Sequence, residues 1–277
     1  MESEQVKNPG LNLVGKLPEV EHKDIAMIAI PVLAISAAEL CYLTGNVKYS
    51  VWLHVLTLIG LSLSTIKQSD SNVSMIIQAL MLLPLLRLVN VSMPVFFEIT
   101  LYSFIFVYAP LMIPAYFVAV QQKFTLEQLG VTSKNIIRYL PLALLVGIFI
   151  GQGEYWTIKA NYLIPDLSLI SVLKLSIVMI FFVGLVEELI FRSILQTRLE
   201  ETLGLFPGLI IASFLFGMMH SVYGTPYEIL YTALAGFAFG VLFQKTRNLP
   251  VTAIAHGCVN IFLFGFIPHL GPGLGFI

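Results

Sequence analysis

The sequence predicts an all-α fold, a polytopic membrane helix bundle of about nine transmembrane helices, or eight on a stricter count. Three observations predict it. Of 277 residues, 57% are hydrophobic and only 11% are charged, too few charges to cover a water-soluble protein of this size. The apolar residues fall into stretches close to the ~20 residues that cross a bilayer. Lys and Arg concentrate in the connections on one side of those stretches, as the positive-inside rule requires.

Taken in order, the chain opens with a polar arm, residues 1–23, containing Pro9, Gly10 and Pro18. It lacks the short apolar core and small-residue cleavage site of a signal peptide, so it reads as a cytoplasmic arm. The predicted spans are 25–43, 49–66, 73–91, 94–120, 139–155, 167–198, 206–223, 229–244 and 250–267. The sixth is long and must tilt or project beyond the bilayer. With the N-terminus in the cytoplasm, the inside segments hold Lys7, Lys16, Lys23, Lys67, Lys123, Lys134, Arg138, Arg198, Lys245 and Arg247, against Lys48, Arg87 and Lys159 outside. That bias predicts a multi-pass integral membrane protein with a cytoplasmic N-terminus. Residues 24–165 form the N-terminal transmembrane helices, 166–268 a core with the chemical motifs, and 269–277 a flexible Gly- and Pro-rich tail. Between the fourth and fifth spans, Thr125 and Gln128 have capping-box spacing and Gly130 can close the turn, which predicts a short interfacial helix.

Net charge is −1, and nothing suggests a nucleic-acid partner. Cys41 and Cys258 both lie in apolar runs and suggest neither a disulfide nor a metal cluster. Cys258 is two residues from His256, a spacing that does not place two helical side chains together.

The chemistry concentrates in three motifs. In 184–198 Glu188 and Arg192 are four apart, share a helix face and can pair, while Glu187 points about 100° away with no local partner. Ionisable groups inside a membrane helix are costly and read first as functional; the plain alternative is a Glu–Arg pair that only fixes packing. Phe216 and His220 follow at the same spacing in the next span, and His256 and Asn260 in the last. Other polar residues in or near the spans are less telling. Glu39 and His54 read as packing hydrogen-bonders, and Glu98 and Glu154 as helix-end residues reached by water.

Together, EExxxR, FxxxH and HxxxN resemble the CAAX protease and bacteriocin-processing family of intramembrane glutamic endopeptidases, also called the Abi or Rce1-type family. The resemblance covers roughly residues 169–266. It implies a membrane-embedded endopeptidase, a hydrolase of peptide bonds, in which Glu187 and His220 activate water while His256 and Asn260 hold the oxyanion. Glu188, Arg192 and Phe216 then support the site or position substrate. The residues agree with those roles. Hydrolysis without a nucleophilic side chain needs a base, oxyanion donors and a proton for the leaving amine. Glu188 is occupied by Arg192, so Glu187 is the expected base.

The resemblance implies a peptide or protein substrate within the lipid bilayer, with a prenylated C-terminal tail, a leader peptide or a membrane-protein segment all fitting. It implies no cofactor. The alternative chemistry is a zinc-dependent membrane protease, with ligands from two histidines and a glutamate. A non-catalytic scaffold or immunity protein is the non-enzyme alternative. A transporter would place polar groups at broken helices near the midplane.

Overall fold

A computed structural model describes residues 21–67, 72–96 and 98–272. Among these residues there is no strand, and nine helices are long and apolar enough to cross a membrane. They are α1 (His22–Leu43), α2 (Val47–Ile66), α3 (Asn72–Val95), α4 (Ser103–Gln121), α5 (Ile136–Ile158), α6 (Leu169–Leu203), α7 (Leu205–Tyr223), α8 (Pro226–Thr246) and α9 (Leu249–Leu270). The chain is thus an integral, multi-pass membrane protein. Most of the expected N-terminal arm and the last five residues of the tail lie outside the described residues. The start of the tail is tied down: the His269 ring lies 2.9 Å from the Ile164 carbonyl, and Gln152 donates to the Pro272 carbonyl.

Four expectations need correction. α3 runs through Pro94, and α4 begins only at Ser103. The Ser103 hydroxyl takes the Thr100 N–H and donates to the Glu98 carbonyl, which nucleates a turn that the 94–120 reading placed mid-helix. The capping box at Thr125 and Gln128 forms, with both reciprocal bonds present. It caps a single turn rather than a helix, because the Val131 and Gly130 N–H groups at once close a Schellman motif with Gly130 at φ +70°. α7 is α-helical only to Met218, and His220 sits in the turn that ends it, before a 3-10 turn at Ser221–Tyr223. Finally, Arg87 is no loop residue but lies in α3, 1% exposed.

α6 is the long helix the sequence predicts. It loosens to π-helical pitch over Val178–Gly184 and again over Leu189–Gln196, with one α-helical stretch, Leu185–Glu188, between. Such irregularities cluster at functional sites. This one places the two glutamates in the regular turn between two loosened ones.

Without a hydrophobic driving force between helices in lipid, small residues let membrane helices approach. α9 is packed that way on two sides. A Cβ at Gly184 of α6 would meet the Ala253 carbonyl oxygen at 2.7 Å, and one at Gly147 of α5 would meet Cys258 Cβ at 2.4 Å. The backbones of α6 and α9 therefore touch one turn from Glu187 and Glu188. Gly184→Ala forces these helices apart and should destabilise the protein by about 1–3 kcal/mol, the usual cost of overpacking. Thermal unfolding in detergent checks it, and an unchanged midpoint would show that the close approach is not needed.

Candidate active site

Adjacent residues on a helix point about 100° apart, so Glu187 and Glu188 meet different neighbours. Glu188 is fully buried. It accepts from Arg192 Nε at 3.0 Å, the pairing expected from their spacing, and from His256 Nδ1–H of α9 at 2.8 Å. The two terminal nitrogens of Arg192 have no hydrogen-bond partner among the described residues. Its guanidinium lies instead 4.8 Å from the ring centre of Phe216 and 5.9 Å from that of Phe191, where the ring faces attract a cation.

Glu187 is 6% exposed. One oxygen accepts from the Tyr108 hydroxyl of α4. The other has no hydrogen-bond partner among the described residues and lies 3.8 Å from His256 Nε2. The His256 ring thus sits between the two carboxylates. It is held flat against Phe239 of α8, centroids 5.2 Å apart, and edge-on to Phe216 at 5.7 Å.

His220 owes its orientation to Phe216 twice over. Its Nδ1 lies 2.8 Å from the Phe216 carbonyl, and its ring packs on the Phe216 ring at 4.8 Å. A carbonyl can only accept, so Nδ1 carries the proton and Nε2 is the nitrogen left free to bind one. This gives the FxxxH spacing a physical reason, since the carbonyl four residues back lies within reach of the ring at the helix end. Glu187, Tyr108 and His220 line one cavity of about 70 Å³, with Arg87, Asn90 and Phe104 also on its wall. That is room for at least one water, which needs on the order of 10–15 Å³.

The structure therefore draws Glu187, Glu188, Arg192, Phe216, His220 and His256 into one cluster. Asn260 lies one helical turn beyond His256, 8% exposed, and its side chain makes no hydrogen bond among the described residues. Cys258 is a buried, free thiol. No group of three or more His, Cys, Asp or Glu among the described residues is arranged to hold a metal ion.

Tyr108 was not singled out from sequence. Its one signal is generic: a buried tyrosine hydroxyl needs a partner. Glu154 was placed near water and is not; it is 5% exposed. The start of α8 covers the end of α5 there, bringing Glu228 beside it, and Glu228 accepts from the Thr157 hydroxyl. Glu98, by contrast, is exposed as expected.

Comparison with known proteins finds matches in the part of the chain that carries the motifs. Residues 169–262 match the family described as type II CAAX prenyl endopeptidase Rce1-like. The Bacillus subtilis (strain 168) protein named "Putative membrane peptidase YdiL" is 35% identical over 98 residues, which is 35% of this chain and 39% of that protein. The chain thus spans about two fifths of the curated relative it matches. No solved structure matches the chain. All seven motif side chains fall within residues 169–262, the segment that matches the Rce1-like family.

Proposed function

We propose that the protein is an intramembrane endopeptidase that hydrolyses a peptide bond with water activated by Glu187 and His220. One observation carries the reading: the buried Glu187 oxygen that has no partner among the described residues belongs to a residue that shares a small cavity with His220. A carboxylate in that position takes a proton from water as the water oxygen attacks the scissile carbonyl carbon. The carbonyl π-electrons move onto oxygen. His256, flanked by two carboxylates, can donate from both ring nitrogens, to Glu188 from Nδ1 and to the oxyanion from Nε2, with Asn260 as the second donor. Collapse of the intermediate breaks the C–N bond, and the proton first taken from water leaves on the amine, through Glu187 or His220 Nε2. Tyr108 holds the other Glu187 oxygen, so the base presents one defined oxygen. Glu188 and Arg192 position His256 and touch no reacting atom.

The family name makes a prenylated C-terminal peptide the first substrate to try. No cofactor is invoked. A zinc site would have to use the Nε2 atoms of His220 and His256, since both Nδ1 atoms face acceptors; among the described residues no group of three such donors is arranged for a metal ion.

A quenched fluorogenic peptide ending in a farnesylated CAAX sequence, beside its unprenylated counterpart, tests these roles. Glu187→Gln should lose turnover while the thermal midpoint stays near wild type. Glu188→Gln should act chiefly through stability, and Asn260→Ala should cost about a hundredfold to a thousandfold in kcat. Activity should survive exhaustive chelation. Appreciable turnover by Glu187→Gln, or loss on chelation that zinc restores, contradicts the proposal.

The same reading places the N-terminus and the α4–α5 connection in the cytoplasm, from the basic residues Lys123, Lys134 and Arg138. A membrane-impermeant thiol reagent should label Ser133→Cys in inverted vesicles and not in intact cells. The opposite pattern would reverse the topology.

A further inference from the structure

A second buried charge cluster lies outside the family segment and reaches into the site. Arg87 of α3 donates from Nε and from one terminal nitrogen to the two oxygens of Glu39 of α1, at 2.8 and 2.7 Å. His54 Nε2 of α2 lies 3.1 Å from Glu39. Glu39 and His54 are fully buried, and Arg87 is nearly so. A buried ion pair of this kind is weak evidence for stability, since apolar residues of similar volume often serve as well. Its other contacts say more. The same Arg87 nitrogen donates to the Met219 carbonyl at 2.5 Å, and it lies 3.4 Å from the Ser221 hydroxyl, which itself donates to Glu39. Met219 and Ser221 are the two neighbours of His220.

The α-helical part of α7 ends at Met218, and the Met219 carbonyl just past it accepts from no backbone N–H among the described residues. A cation there satisfies an orphan carbonyl and favours the negative end of the helix dipole. Here the cation comes from α3, 132 residues earlier in the chain.

We propose that the Glu39–Arg87 pair, with His54 behind it, is a positioning clamp. It grips the backbone on both sides of His220 and holds that imidazole at the Glu187 cavity. The inference rests on the hydrolase reading for its catalytic consequence, but not for its structural one. Arg87 is a positioning residue. Arg87 lines the cavity as well, and its grip on Met219 and Ser221 fixes where the turn places the ring. The clamp also gives α1–α3 a role that the family segment alone does not explain.

The test uses the full-length protein and two readouts. The first is kcat and KM on the farnesylated fluorogenic peptide. The second is the ring-nitrogen NMR signals of ¹⁵N-histidine-labelled protein, which has five histidines; those of His220 are identified by their loss in His220→Gln. The double variant Glu39→Met/Arg87→Met replaces the ion pair with apolar volume. It should fold, lose about a hundredfold in kcat with KM little changed, as misplacement of a reacting group does, and show His220 drifting from its single Nδ1–H tautomer. Arg87→Lys keeps a counter-ion for Glu39 but loses the two-nitrogen hold on that carboxylate that aims the donor at Met219. It should lose kcat in the same direction, and it decides the matter if the double variant does not fold. A folded variant with wild-type kcat and unchanged His220 signals overturns the clamp. If wild-type protein cleaves neither peptide, the hydrolase reading fails on those probes, and the His220 signals alone judge the clamp.

Discussion

The Glu188 carboxylate is the contact on which the rest of the site depends. It is fully buried in a membrane protein, where an unpaired charge is costly, and it is held from two directions by Arg192 of its own helix and His256 of another. One bond fixes the turn of α6 that carries Glu187. The other fixes the orientation of His256. Both require α6 and α9 to sit at close range, which the backbone contact at Gly184 permits. Because Glu188 takes up the local cation, Glu187 one residue away is left with a tyrosine hydroxyl and an open oxygen. The division of labour between two neighbouring glutamates thus follows from helix geometry and from who else is charged nearby.

Phe216 plays an apolar version of the same part. Its ring lies against His220, His256, Phe191, Phe239 and the Arg192 guanidinium. It therefore joins the three motif helices without using any polar group of the site. The N-terminal half supplies what these helices lack. Tyr108 of α4 reaches Glu187, and Arg87 of α3 caps the turn that holds His220. The segment that matches the Rce1-like family thus carries the motif side chains, while α3 and α4 supply part of the cavity wall.

Much of this was legible in the sequence, and the limits have physical causes. Spans are legible because bilayer thickness imposes a length, and the Glu188–Arg192 pair because helix geometry makes i and i+4 neighbours. The meeting of Glu187 with His256 and Tyr108, and of Arg87 with Met219, depends on how separate helices pack, and no local pattern encodes that. Arg87 misled for a related reason. A cation in an apolar helix looks like one near the membrane surface until its buried partner on α1 is seen. Glu154 misled likewise, since only packing brings Glu228 against it. The break after Met218 was missed because an α-helix and a terminating turn are equally apolar here; the FxxxH spacing survives because it needs only the Phe216 carbonyl.

The central claim is that Glu187 activates water and never bonds to the substrate. Single and repeated turnovers in H₂¹⁸O, followed by mass spectrometry of the product and of the enzyme peptide containing Glu187, test it most directly. The account predicts one ¹⁸O in the new C-terminal carboxylate and none in Glu187. Label accumulating in the Glu187 carboxylate would reveal an acyl-enzyme anhydride and contradict it.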